Sequence, residues 1–67
     1  MENVTVSELA NDGRRWVELS GTDYGTNREF DADVYGVTTD DKILDCDGYP
    51  LTEGDRTTIA VRNSLGL

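Results

Sequence analysis

The stretch from Arg28 to Val37 constrains the fold most, because apolar and acidic residues alternate along its first half. A period of two residues is typical of a strand with one buried and one solvated face. We therefore predict a strand in the centre of a small sheet. Its buried face would carry Phe30, Ala32 and Val34, and its solvated face Glu29, Asp31 and Asp33. Neighbouring carboxylates on the solvated face would lie about 6.6 Å apart along the strand.

The N-terminal part of the chain predicts a β-hairpin. Residues 3–9 begin with alternating valines, and residues 11–13 read Asn-Asp-Gly, a turn whose glycine can adopt the left-handed conformation. A second strand is predicted over residues 16–19. The alternative is a short helix over residues 6–12, introduced by a capping box that starts at Thr5. We prefer the hairpin, since two turns of helix are marginal unless they pack.

Glycine- and proline-containing turns divide the rest of the chain into short segments. Residues 21–27 and 38–41 are predicted to be loops, and residues 42–46 and 56–62 are predicted to be strands. Turn signals at this spacing are typical of an antiparallel meander. The predicted fold is mainly β, a five-stranded antiparallel meander that can curl into a small barrel, or α+β if the short helix forms.

The predicted core collects the apolar residues of these segments. Its members are Val4, Val6, Val17, Leu19, Phe30, Ala32, Val34, Ile43, Leu44, Ile59 and Val61. Trp16 is out of phase with Val17 and Leu19. It is expected to cover the other side of the sheet, or to stand partly exposed near Tyr35.

Size and charge limit what the chain can do. Its 67 residues form one domain, residues 1–67, near the lower size limit for a single hydrophobic core. Fourteen acidic residues against six basic ones give a net charge of −8. That charge repels nucleic acid and anionic membranes and attracts basic protein surfaces. A single cysteine, a polar start and no long apolar run predict a soluble, cytoplasmic protein.

Catalytic and metal-binding chemistry has little support in the sequence. The chain has no histidine, and Cys46 stands between Asp45 and Asp47, which disfavour a thiolate. An alignment of Gly48 with the conserved glycine of a calcium-binding EF-hand loop leaves Ile43 and Gly54 where acidic ligands are required. We therefore predict a protein that is not an enzyme and has no cofactor and no metal site.

The predicted carboxylate ladder on Glu29, Asp31 and Asp33 is the strongest functional signal. Aspartate is depleted in strands, yet this strand carries alternating carboxylates without basic residues between them. Their spacing is close to that of successive phosphates on a nucleic acid, so the ladder could occupy a cationic groove in a salt-sensitive way. The other interpretation is an ordinary solvated sheet face, balanced by arginines on neighbouring strands.

Residues 17–23, Val-Glu-Leu-Ser-Gly-Thr-Asp, begin a segment that resembles a known family. Together with the polar loop, the alternating strand and residues 38–45, they resemble the hairpin region of small acidic phage anti-CRISPR proteins that inhibit Cas9. The resemblance covers about residues 16–48. It implies an inhibitor that presents carboxylates to the cationic cleft that reads the DNA motif adjacent to the target. This chain is shorter than the members of that family, and no helix is predicted after its sheet. The resemblance therefore implies the general mode of inhibition and no individual contacts. It makes Asp23, Asp40 and Asp41 the first candidates for contact residues, because they lie in the corresponding turns.

Two functional hypotheses follow from the sequence. The first is a non-enzymatic, phage-encoded inhibitor whose carboxylate face mimics nucleic-acid phosphates and blocks a basic groove on a nucleic-acid-handling enzyme. The alternative is a salt-adapted β domain from a halophile with a structural or interaction role. A homodimer is compatible with either. The predicted partner-binding residues are Glu29, Asp31, Asp33, Asp23, Asp40, Asp41, Tyr35 and Trp16.

Overall fold

A computed structural model describes residues 2–67 and shows an open antiparallel sheet with one helix packed on it. The strands lie in the order β1-β2-β3-β4. Their bounds are β1 Glu2–Asn11, β2 Arg15–Asp23, β3 Arg28–Val37 and β4 Ile43–Leu44, and the helix α1 is Arg56–Leu65. The mainly β, antiparallel prediction is confirmed. A fifth strand and a barrel are not found among the described residues.

The N-terminal hairpin forms as predicted, and the alternative helix over residues 6–12 is wrong. β1 pairs with β2 along its length, from Glu2 opposite Asp23 to Asn11 opposite Arg15. Gly13 has φ 99° in the turn, a conformation that glycine adopts without a steric penalty. The strand forms and the helix does not, because β1 pairs with β2 along its length. An isolated two-turn helix would be only marginally stable.

A β-bulge in β3 breaks the predicted alternation. Gly21 pairs with Phe30 and Leu19 pairs with Asp33, so Ser20 alone faces two residues of β3. One of the two, Ala32, has φ 57° and is exposed. The extra residue reverses the phase of the strand. Asp33 therefore lies on the same face as Phe30, and Val34 lies on the opposite face with Glu18. The predictions that placed Asp33 on the solvated face and Ala32 and Val34 in the core are wrong.

The fourth strand is shorter than predicted, because the residues at both of its ends form hydrogen-bonded polar turns. Thr38 and Lys42 close the turn before it with a backbone hydrogen bond of 2.9 Å. The Asp45 carboxylate accepts hydrogen bonds of 2.9 Å from the backbone N–H groups of Asp47 and Tyr49 after it. β4 thus provides only Ile43 and Leu44, both buried, to pair with the end of β3.

The segment 56–62 is helical, so the prediction of a fifth strand there is wrong. Asp55 has the extended conformation of an N-cap residue, and Gly66 ends the helix with φ 72°, a left-handed C-cap. Thr58, Val61 and Leu65 are spaced by three and four residues, and they bring one side of α1 onto the core. Ile59 is 41% exposed, although a strand would place it on the same face as Val61.

The core lies between α1 and one face of the sheet. Of the predicted members, Val17, Leu19, Phe30, Ile43, Leu44 and Val61 are buried, and Val4 and Val6 pack partly buried against them. Sequence reasoning missed Tyr35, Val37, Thr58 and Ala60, which the bulge and the helix bring inward. Within residues 2–67, no helix has the length and apolar character that a membrane crossing requires.

Candidate acidic interaction surface

The sheet face opposite α1, here called the open face, carries the candidate site. Because Val17 and Leu19 point into the core, Trp16 and Glu18 lie on the open face of β2. On β3, Val34 lies opposite Glu18 and Gly36 lies opposite Trp16. No helix covers this face in the described part of the chain, so a partner can reach it.

Two of the three predicted ladder carboxylates stay together. Glu29 and Asp31 flank the buried Phe30, are both exposed, and lie about 6.6 Å apart along β3. Neither forms an ion pair with any described residue. The bulge turns Asp33 to the other face, where its Oδ2 lies 3.7 Å from Nη2 of Arg28. The ladder is thus a pair, and Asp33 lies with Arg28 on the helix side of the sheet.

Arg28 organises the helix-facing side of β3. Its Nε donates to the Thr57 hydroxyl of α1 at 3.0 Å, and its guanidinium lies 4.7 Å from the centre of the Phe30 ring. Its Nη2 donates to the Tyr35 hydroxyl at 3.3 Å. Burial raises the pKa of Tyr35, which is only 7% exposed. Tyr35 is therefore part of the core and lies outside the open face.

Asp23 is buried and connects the β2–β3 loop to α1. Its carboxylate accepts hydrogen bonds from Thr26 Oγ1 at 2.9 Å, Gly25 N at 3.1 Å and Asn63 Nδ2 at 3.2 Å. Burial raises the pKa of Asp23, but these donors outweigh it and the pKa lies below its ordinary value of 3.8. Because the residue as a whole is only 2% exposed, Asp23 cannot contact a partner in this conformation.

We expect Asp23 to contribute acid-sensitive stability. A folded-state pKa below 3.8 means that the stabilisation is complete above that pH and is lost as the pH falls through the lower folded-state value. Asp23→Asn should lower the melting temperature at neutral pH by about 5 °C or more. The difference in melting temperature between Asp23→Asn and wild type should become smaller in acid. Thermal melts followed by circular dichroism across acid pH check this, with Asp12→Asn in the exposed hairpin turn as the control of equal charge change.

Asp40 and Asp41 lie beyond the opposite end of β3 from Glu29. Both are exposed in the turn before β4, where Asp41 adopts φ 63°. A hydrogen bond from the Thr38 hydroxyl lowers the pKa of Asp40, so this carboxylate stays ionised in mild acid. The structure therefore divides the predicted site residues between the two ends of β3.

Five exposed or half-exposed carboxylates follow the length of β2 and β3. We call this set the acidic band: Glu18, Glu29, Asp31, Asp40 and Asp41. None of them lies within 4.0 Å of a basic group among the described residues, whereas Arg15, Arg28 and Arg62 are engaged with Glu8, Asp33 and Glu53. Lys42 and Arg62 act on Asp40 and Asp41 from a longer distance, so the uncompensated negative charge is centred on Glu18, Glu29 and Asp31.

Trp16 provides the apolar part of the open face. Its ring packs over Gly36 of β3, where a Cβ atom would lie 2.8 Å from Cζ3 of the indole. The guanidinium of Arg14 stands 5.6 Å from the ring centre. Trp16 remains half-buried, so part of the ring faces solvent. Gly36, which pairs with Trp16, is the sequence signal for this contact, since a glycine inside a strand often marks close approach by another group.

No group of three or more acidic or cysteine side chains in the described residues is placed to hold a metal ion. The chain also matches no family model, no curated protein and no solved structure. The geometry of the acidic band is therefore the basis for a functional proposal.

Proposed function

We propose that this protein is a non-enzymatic inhibitor whose acidic band mimics nucleic-acid phosphates and occupies a basic groove on a nucleic-acid-handling enzyme. The observation that supports it most is the exposed pair Glu29 and Asp31, which has no ion-pair partner among the described residues. Strands seldom carry exposed adjacent carboxylates on one face without compensation.

The length of the band suits an extended cationic groove. Glu29 and the Asp40–Asp41 turn are separated by most of β3, about 25 Å of extended chain, in a molecule 30 Å long. Along β3, Trp16 lies between them, opposite Gly36 on the open face, whereas Asp41 borders a cavity with Val37 and Leu67 on the helix side. The charges of the acidic band would steer association, and the half-buried indole of Trp16 would add the apolar contact that charge alone lacks.

The proposed mode of action is competition. A groove occupied by the acidic band cannot accept the phosphate backbone, and the counterions of the groove are released on binding. Affinity should therefore fall steeply as salt rises. The anti-CRISPR resemblance makes Cas9 the first enzyme to test, with the phage-encoded origin and the cytoplasmic site of action belonging to the same proposal.

The test begins with capture of a partner at low salt and its elution by a salt ramp. Against that partner, or against Cas9 in a DNA-cleavage assay, the double variant Glu29→Gln with Asp31→Asn should bind about tenfold more weakly than wild type. The double variant removes two negative charges that would face the basic groove. Because both residues are exposed, the core should be unchanged.

The matched control is Asp12→Asn with Asp55→Asn, which changes the net charge equally. Asp12 lies in the hairpin turn and Asp55 at the start of α1, on the covered side of the sheet. Equal weakening by the two double variants would mean that only total charge matters, and the acidic band would then not be the interface.

Salt adaptation is the second candidate function, and one observation favours it. Exposed acidic residues also occur outside the band, at Asp12, Asp47 and Asp55. A salt-adapted domain would unfold on dilution into low salt, since self-repulsion is then unscreened. A melting temperature that rises steeply with KCl would support this candidate, and one that does not change with KCl would remove it.

A further inference from the structure

The sheet has two free edges, and only one of them is protected against pairing. β4 pairs with β3 only at Gly36 and Val37, so residues 28–35 have no neighbouring strand on that side in the described chain. β1 is the other edge and pairs only with β2. Such edges expose backbone N–H and C=O groups that can bind another strand.

The free edge of β3 is blocked by its own side chains. The Arg28 guanidinium donates to the backbone carbonyl of Glu29, and the Asp33 carboxylate accepts from the backbone N–H of Asp31 at 3.4 Å. The bulge at Ala32 interrupts the edge between them. Charges and bulges of this kind are the usual means by which sheet edges avoid unwanted pairing.

The edge of β1 has none of these features over residues 3–7. The segment reads Asn-Val-Thr-Val-Ser and carries no charge, in a chain whose net charge is −8. It contains neither a bulge nor proline, and its irregularity comes only after Glu8. No side chain among the described residues hydrogen-bonds to its backbone, and its β-branched residues favour strand pairing.

We propose that residues 3–7 of β1 pair antiparallel with the same segment of a second copy, joining two sheets into one of eight strands. Pairing centred on Thr5 places Val4 opposite the second copy's Val6 on the helix side. Asn3 then lies opposite Ser7 on the open face. Val4 and Val6 are half-buried against the core in one copy, and this pairing would bury more of both.

A second copy fits this edge because the segment is complementary to itself. The pairing brings no like charges together within residues 3–7 and matches apolar with apolar and polar with polar side chains. What opposes the pairing is Glu8, which this register sets opposite another glutamate at position 2 of the second copy, together with long-range repulsion between two acidic molecules. Salt screens both. Dimerisation should therefore strengthen as KCl rises, whereas the proposed binding to a basic groove should weaken.

Sedimentation equilibrium of the full chain at low and high KCl tests the proposal. We expect wild type to dimerise, more tightly at high KCl. Thr5→Lys places two lysines opposite each other at the centre of the pairing and should weaken dimerisation at least about tenfold. Thr39→Lys, in the exposed turn before β4, makes the same charge change and should not weaken dimerisation.

A mixture of Thr5→Lys and Thr5→Glu provides the positive test, because the two variants should form a heterodimer more tightly than either forms its own dimer. A wild type that stays monomeric at about 1 mM and high KCl would overturn the proposal. So would a dimer that Thr5→Lys does not weaken. Neither result bears on the acidic band, whose binding assay has the opposite dependence on salt.

Discussion

Gly21→Ala is expected to remove most of the protein's stability. Gly21 has φ 114°, and a Cβ atom there would lie 2.1 Å from the backbone carbonyl oxygen of Asn3 on β1. A backbone atom cannot rotate away as a side chain can, so β1 must move and its pairing with β2 must distort. We expect a loss of about 3 kcal/mol or more. A domain of this size has a net stability of roughly 3–5 kcal/mol, so little margin would remain.

Gly13→Ala is the matched control for that prediction. Gly13 also has a positive φ, 99°, but no atom lies within 4 Å of the position its Cβ would take. Both variants bear the conformational cost of alanine at positive φ, about 1–2 kcal/mol, and only Gly21→Ala adds the clash. Urea denaturation followed by far-UV circular dichroism should show a clearly larger loss for Gly21→Ala. Equal losses would mean that the close approach of β1 to Gly21 is wrong.

Val61→Lys should be the second strongly destabilising change, and the contrast with Ile59→Lys tests the helix. Val61 is fully buried on α1, so a lysine there would place an unpaired ammonium group in the core. We expect that change to cost more than about 3 kcal/mol. Ile59 is 41% exposed, and Ile59→Lys should alter the free energy of unfolding by less than about 1 kcal/mol.

The two substitutions make the same chemical change two residues apart, so each is the control for the other. In a strand, positions 59 and 61 would share a face and both lysines would be equally disruptive. In α1, residues two apart point in clearly different directions. Similar losses of stability in the same urea denaturation assay would therefore contradict the helix.

Several elements were predictable because their signals are local. The Asn-Asp-Gly turn, the valines of β1 and the alternation around Phe30 all agree with the strands that form. The caps of α1, Asp55 and Gly66, were also local signals, and the spacing of Thr58, Val61 and Leu65 agreed with them. The alternation of Ile59 and Val61 predicts a strand for this segment, because over seven residues a period of two resembles part of a helical pattern.

The candidate site was predicted in part for the same reason. Glu29 and Asp31 are exposed as their period indicates, since they precede the bulge. Asp33 follows the bulge and lies near Arg28, and Asp23 is buried by contacts with Asn63, forty residues away in the chain. Residue patterns do not show such contacts, because the residues next to Asp33 and Asp23 in the chain do not indicate which distant side chain each will contact.

The sequence by itself determined the antiparallel strands, the acidic charge and the exposed carboxylates of β3, because these depend on residue type and on neighbours a few positions away. Tertiary structure decided which face each carboxylate occupies and which residues close the core. The bulge at Ala32 shows the physical reason. One extra residue reverses every side chain that follows it, so Tyr35 and Val37 are buried in the core with residues of α1.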